Sequence, residues 1–182
     1  NPQRGRSNNS ALLLRSETTK EQFATLMESV KEFGEPGFVW SDSTELIVNP
    51  CVEIGMWPVD EQTGETGWQA CNLSTINCAK VKTKKEFYEA CASASIIGTL
   101  QAGFASFPYL GEVSERIISR EALLGVSMTG VMEQHEICLD PEVQKKGAEI
   151  VKETNANIAK LIGVNQAART TCVKPEGTSS CI

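Results

Sequence analysis

Short apolar runs alternate with capped helical stretches along this chain, and that alternation limits what it can fold into. SALLLR, residues 10–15, reads as a buried strand. Thr18 and Glu21 then stand at capping-box spacing in TTKE, and Phe23, Leu26, Met27, Val30 and Phe33 recur at helical intervals up to Gly34, a stripe expected to be core. GEPG (34–37) is a turn, and FVW (38–40) and ELIV (45–48) are strand-like. Strand, helix, strand predicts an α/β arrangement with a right-handed crossover. A second capping box, Thr83 and Glu86, opens a helix expected to run to about residue 104. That helix is rich in Ala, Ser and Gly and apolar on more than one face, as in helices buried at close quarters. SERIISREALL suggests a shorter helix, and GVSMTGVME (125–133) a strand or loop. Asp140 and Pro141 supply an N-cap and a proline at N1 for a last helix ending at Gly163, with Val143, Ala148, Val151, Ile158 and Leu161 as its expected buried side. RTTCV (169–173) reads as a strand, and residues 57–70 as a polar hairpin-like insertion.

The bulk numbers suit one globular unit: 182 residues, 41% hydrophobic and 22% charged. No apolar run approaches the ~20 residues of a membrane span, and no secretory signal opens the sequence. A net charge of -6, without a basic stripe, argues against nucleic acid as a partner. Seven cysteines without a CxxC pair, and a single histidine, His135, leave no familiar metal-ligand spacing. His135 reads as an ordinary loop residue. The cysteine usage predicts a reducing, cytoplasmic setting. Asn1-Pro2 and the closing SSCI suggest a piece cut from a larger catalytic domain.

Three stretches carry chemistry. In NPCVEIGM (49–56), Asn49, Cys51 and Glu53 occupy alternate positions. In an extended segment alternate side chains leave one face about 6.6 Å apart. Pro50 lacks an N–H for a sheet ladder, so the segment is a loop or an edge. An amide, a thiol and a carboxylate then point at one sugar-sized volume. The bland alternative is a buried cysteine beside an Asn-Pro turn. CNLSTIN (71–77) brings a second thiol, Cys71, 20 residues beyond the first. KPEGTSS (174–180) offers successive N–H groups and the hydroxyls of Thr178, Ser179 and Ser180, with Gly177 permitting close approach. It can cradle phosphate oxygens or be a plain turn. Residues 1–9, with Arg4 and Arg6, read as a surface loop, or else as an arm reaching a phosphate.

Taken in order, NPCVEI, CNLSTIN and KPEGTSS, with GEPGFVW (34–40) and GVSMTGVME, resemble the large catalytic subunit of ribonucleotide reductases. The resemblance covers nearly the whole chain. VKPEGTSS after LIGVNQAARTT is most similar to the adenosylcobalamin-dependent (class II) branch, although Glu176 stands where the family usually has Ser or Thr. The resemblance implies a partial ten-stranded α/β barrel with a catalytic finger loop, residues 1–182 being a fragment truncated at both ends. It implies that Cys51 is the radical cysteine taking the ribose 3′ hydrogen, that Glu53 is the general base for the 3′-hydroxyl and that Asn49 binds the sugar. Cys71 becomes one half of the dithiol that reduces the substrate, with its partner upstream of this chain. Pro175, Glu176, Gly177, Thr178, Ser179 and Ser180 would hold the substrate phosphates. The implied cofactor is adenosylcobalamin, with no protein-bound metal site in this piece. The implied partners are a ribonucleoside di- or triphosphate and a thioredoxin- or glutaredoxin-type reductant, and a homodimer is allowed. The isolated piece is expected to be inactive. The rivals are a class I large subunit served by a separate metal-containing subunit, a glycyl-radical enzyme, and a non-enzymatic nucleotide-binding module.

Overall fold

The computed structural model describes residues 3–176 and is a mixed α/β protein with small sheets, none closed into a barrel. It divides into two compact units, residues 1–57 and 58–182.

In the first unit, β1 (Ser10–Leu14) pairs in parallel with β2 (Gly37–Ser41), Leu12 opposite Val39, and α1 (Lys20–Phe33) connects them. The strand–helix–strand reading holds here. The helix starts one residue later than its first capping signal suggests. Thr19 is the N-cap and Gln22 closes the box, because TTKEQ satisfies the same spacing in two registers. Gly34, at φ 73°, ends it in the left-handed conformation. Phe38 and Trp40 share one face of β2, and Phe23 packs on both at ring distances of 5.3 and 5.6 Å. The apolar stripe of α1 is half-buried rather than core: no residue of the helix is fully buried and Phe33 is 54% exposed. Two strands cover only part of a helix face. ELIV forms no strand. Only Val48 joins an antiparallel bridge, to Gly55, because the chain turns back at Pro50.

In the second unit, β3 (Asn72–Asn77) and β4 (Leu124–Thr129) pair in parallel, with Leu73 opposite Gly125 and Ser74 opposite Val126. Between them run α2 (Lys84–Ala102) and α3 (Gly111–Glu121). After β4 come a single turn, α4 (His135–Cys138), and the long α5 (Pro141–Ile162). Asp140 accepts the N–H groups of Glu142 and Val143, as its N-cap position predicts, and Gly163 at φ 76° ends the helix. The expected strand at 169–173 is reduced to one parallel bridge, Thr171 to Val126. Residues 58–67 do form a hairpin, through the Val59–Thr66 bridge, but it is anchored. Asp60 is buried and accepts from Arg116 Nε at 2.9 Å, Thr63 Oγ1 at 3.1 Å and the Gln62 N–H at 3.2 Å.

Helices α2 and α5 pack on each other closely. A Cβ at Gly147 would stand 2.8 Å from Phe87 Cε1 and 3.1 Å from Cys91 Sγ, so only glycine permits this approach. The core gathers Ile76, Val81, Phe87, Val126, Val143 and Val151 around the crossing. The buried face of α5 runs through Val143, Gly147, Val151, Asn155 and Ala159. Leu161, expected inside, is 79% exposed. Small and polar residues, not the largest apolar ones, mark this seam. On α2 likewise one face alone is buried, and Ile97 and Leu100 are exposed. Asn155 is fully buried: its Nδ2 donates to Thr99 Oγ1 at 2.9 Å, and its Oδ1 accepts the Ala167 N–H at 2.9 Å. Thr99 passes its hydrogen to the Ser95 carbonyl, and Ser95 donates to the Val151 carbonyl.

Replacing Asn155 with Ala strands the Ala167 N–H away from water. Denaturant unfolding of Asn155→Ala is expected to show a loss of about 2–4 kcal/mol. The Arg116 guanidinium beside Asp60 holds its carboxyl below the usual carboxylate range, with Gln62 and Thr63 assisting. A carboxyl depressed on folding stabilises above its unfolded value of about 3.9, and that contribution is lost as pH falls through the lower folded value. Melting temperature should therefore drop less steeply on acidification in Asp60→Asn than in the parent.

Candidate functional site

The stretch 47–56 folds as a small hairpin with its tip at residues 50–53. Its legs are held by Met56 N–H to the Ile47 carbonyl at 2.8 Å and by Asn49 N–H to the Ile54 carbonyl at 3.1 Å. At the tip the Val52 N–H donates to the Asn49 carbonyl at 2.9 Å, and Val52 takes φ 67°. A β-branched residue adopts that region rarely and at a cost, so the surrounding bonds must impose it. Asn49, 7% exposed, is the fastener. Its Oδ1 accepts the Ile54 N–H at 3.0 Å, and its Nδ2 donates to Glu53 Oε1 at 2.6 Å. Asn49 and Glu53 thus meet side chain to side chain, and Cys51 stands on the tip that their bond closes. The three are gathered by a reversal of the chain, not by the flat alternation that their spacing suggests.

Two residues outside the motif complete this tip. Asn8 donates through Nδ2 to Cys51 Sγ at 2.9 Å, and Ser10 donates through Oγ to the Pro50 carbonyl at 2.6 Å. Sequence reasoning treats residues 1–9 as a surface loop or a phosphate-reaching arm and misses Asn8. Its only signal is position, since it stands two residues before the strand whose connection returns the chain to the hairpin.

Cys71 and the described part of the 174–180 stretch belong to the second unit. Cys71, half-buried, directly precedes β3. A Cβ at Gly125 would stand 3.1 Å from Cys71 Sγ and 3.2 Å from Cys172 Sγ, so both sulfurs lean over the bare glycine. They approach from opposite flanks of β4. Cys71 comes before the Asn72–Leu124 rung on one side, and Cys172 follows the Thr171–Val126 bridge on the other. Two inter-strand spacings of ~4.8 Å lie between their backbones, beyond the ~7 Å limit for bridging without backbone movement. Cys172 is therefore not positioned to be the disulfide partner of Cys71. Glu176 is held by Thr75, whose hydroxyl donates to Oε1 at 2.9 Å, and Thr129 Oγ1 donates to the Glu176 carbonyl at 3.3 Å. Lys174 N–H donates to Ser127 Oγ at 2.9 Å. Pro175 is exposed. Gly177, Thr178, Ser179 and Ser180 lie outside the described residues.

The remaining described thiols are structural. Cys78, Cys91 and Cys138 are buried. Burial pushes the Cys78 thiol far up, with a hydrogen bond to Cys138 adding to it, and burial pushes Cys91 up to about 11. None of the six described cysteines forms a disulfide. Among the described residues no group of three His, Cys, Asp or Glu side chains has the arrangement of a metal site, and no helix is long and apolar enough to cross a membrane. No family model, no curated protein and no solved structure matches this chain.

The thiols thus divide by environment. With iodoacetamide at pH 8, mass spectrometry of the folded protein should find Cys51, Cys71 and Cys172 alkylated at least about tenfold faster than Cys78 and Cys91, because the attacking species is the thiolate and burial disfavours it.

Proposed function

We propose that this chain is part of the catalytic barrel of a ribonucleotide reductase, one that makes 2′-deoxyribonucleotides from ribonucleoside di- or triphosphates by thiyl-radical chemistry. The observation that carries the reading is the 2.6 Å bond from Asn49 to Glu53, which closes the hairpin tip bearing Cys51. It gives the resemblance of the sequence a physical content. A thiol stands on a tight tip whose base is a carboxylate already oriented by an amide.

In this reading the Cys51 sulfur radical takes the hydrogen atom from ribose C3′, forming S–H and leaving the radical on carbon. Glu53 takes the proton of the 3′-hydroxyl as the 2′-hydroxyl leaves as water. Asn49 spends one Nδ2 hydrogen on Glu53, and an amide has two, so the second is the one for the sugar. Orientation of all three before the substrate arrives lowers the entropic cost of the step. Cys71 and a partner cysteine upstream of this chain supply the proton with which the 2′-hydroxyl leaves as water and the hydrogen that replaces it at C2′; they become a disulfide, which a thioredoxin- or glutaredoxin-type protein reduces, and the Cys51 S–H returns its hydrogen to C3′. Pro175 and residues 177–180 carry the phosphates. Glu176, whose carboxylate already accepts from Thr75, suits a sugar hydroxyl better than a second anion. The two parallel pairs would then be sections of a larger ten-stranded barrel.

Adenosylcobalamin is the radical source most in keeping with the class II likeness, and bound there it would supply the first radical. Cys51 is half-buried between the exposed Pro50 and Val52, so the sulfur is reachable, as delivery of a radical from such a source requires. The cellular setting is the cytoplasm, and the full-length enzyme can be a homodimer. The second reading is a class I large subunit, favoured by the acidic Glu176 in the phosphate stretch.

An assay of deoxynucleotide formation by the full-length protein tests this. Turnover should require adenosylcobalamin with no metal-containing subunit added, and Cys51→Ser should reduce it to background. Turnover only with a separate metal subunit assigns the class I reading. Unchanged activity in Cys51→Ser refutes both.

A further inference from the structure

We propose that Asn8 is a positioning residue for the Cys51 sulfur, through the 2.9 Å bond from its Nδ2 to Sγ. The catalytic meaning of this inference rests on the radical-thiol reading of Cys51; the bond itself does not. Forty-three residues separate the two, so no local turn explains the contact. The backbone on which Asn8 stands is pinned. Its neighbour Asn9 offers its carbonyl to the Gly37 N–H at 2.8 Å, at the entry to the β1–β2 pairing. Ser10, the first residue of β1, grips the other side of the tip through the Pro50 carbonyl. A Cβ at Gly37 would lie 2.8 Å from Ser10 Oγ, so glycine at that position leaves the Ser10 hydroxyl the space it occupies. Two donors from one strand entry therefore hold the tip, one on its backbone and one on the sulfur.

The bond does two things. It fixes where the sulfur sits relative to Glu53, which matters because hydrogen-atom transfer between sulfur and carbon is sensitive to small displacements. It also orients the thiol. A sulfur that accepts an N–H on one side directs its own S–H elsewhere, so the hydrogen that Cys51 gains and returns is turned away from Asn8.

The test compares Asn8→Ala, Asn8→Leu and Asn8→Gln in the intact protein. Leucine keeps the branched shape of asparagine, adds no charge and removes the N–H donor, and glutamine keeps the donor. Two readouts are taken: peptide-resolved alkylation of Cys51 by iodoacetamide at one fixed pH, with Cys71 as internal reference, and kcat against KM for deoxynucleotide formation. Asn8→Ala and Asn8→Leu are expected to slow Cys51 alkylation about tenfold, the equivalent of one hydrogen bond lost from the attacking sulfur, and to lower kcat with KM unchanged. Asn8→Gln should recover part of both. A side chain that merely fills space predicts parent-like behaviour in Asn8→Leu, and that result, in a variant whose melting temperature matches the parent, overturns the proposal. If the parent makes no deoxynucleotide at all, the function reading fails while slowed alkylation in Asn8→Leu still upholds the bond. If Cys51→Ser abolishes turnover and Asn8→Leu changes neither readout, the function stands and the role of Asn8 falls.

Discussion

A buried asparagine amide closes a loop in each of the two units, and much of the rest is arranged around those two closures. Asn155 lies in the seam between α2 and α5 and reaches the backbone at Ala167, where the chain leaves α5 toward the sheet. Asn49 lies at the base of the hairpin and reaches the backbone at Ile54. In both cases the amide oxygen accepts a main-chain N–H, while the amide nitrogen donates to a side chain, Thr99 or Glu53. An unpaired N–H in either place would cost more than an ordinary hydrogen bond gains. The segments that carry the candidate chemistry are therefore fixed by polar groups inside, not by apolar contact alone.

The two closures differ in what they prepare. Around Asn155 everything is satisfied internally, through Thr99, Ser95 and the Val151 carbonyl, and the result is rigidity. Around Asn49 the same device leaves a carboxylate oriented and a thiol on a strained tip. The unusual φ of Val52 belongs to this second case, where tightness is imposed on the backbone by the bonds at its base.

Much of the element order was legible because helix ends have local chemistry. Thr83, Asp140 with Pro141, Gly34 and Gly163 mark boundaries through bonds within a few residues. The same locality misled by one register at TTKEQ, where two threonines offer equivalent caps. ELIV reads as a strand because an apolar run records burial and not pairing, whereas RTTCV does pair with β4, through three main-chain bonds around the single Thr171–Val126 bridge. The inward face of α5 was misread at Leu161 because the helices meet through glycine and asparagine, which hydrophobic periodicity does not weigh. At the site, Asn49, Cys51 and Glu53 could be picked out from spacing and chemistry. Asn8 could not, since a bond across 43 residues leaves no trace in local pattern. Asp60 likewise looks like any loop acid until Arg116 is brought to it.

Gly125 shows how a missing side chain can govern its surroundings. The space above it is occupied by two sulfurs and by Leu73, which a Cβ there would overlap. Substitution at this one position would evict neighbours that belong to two separate segments, although glycine itself makes no contact through a side chain. In a saturation library such a site would be among the least tolerant of the second unit. The freedom of Cys71 to react and the mutational latitude of a residue opposite its strand are thus tied together by volume alone.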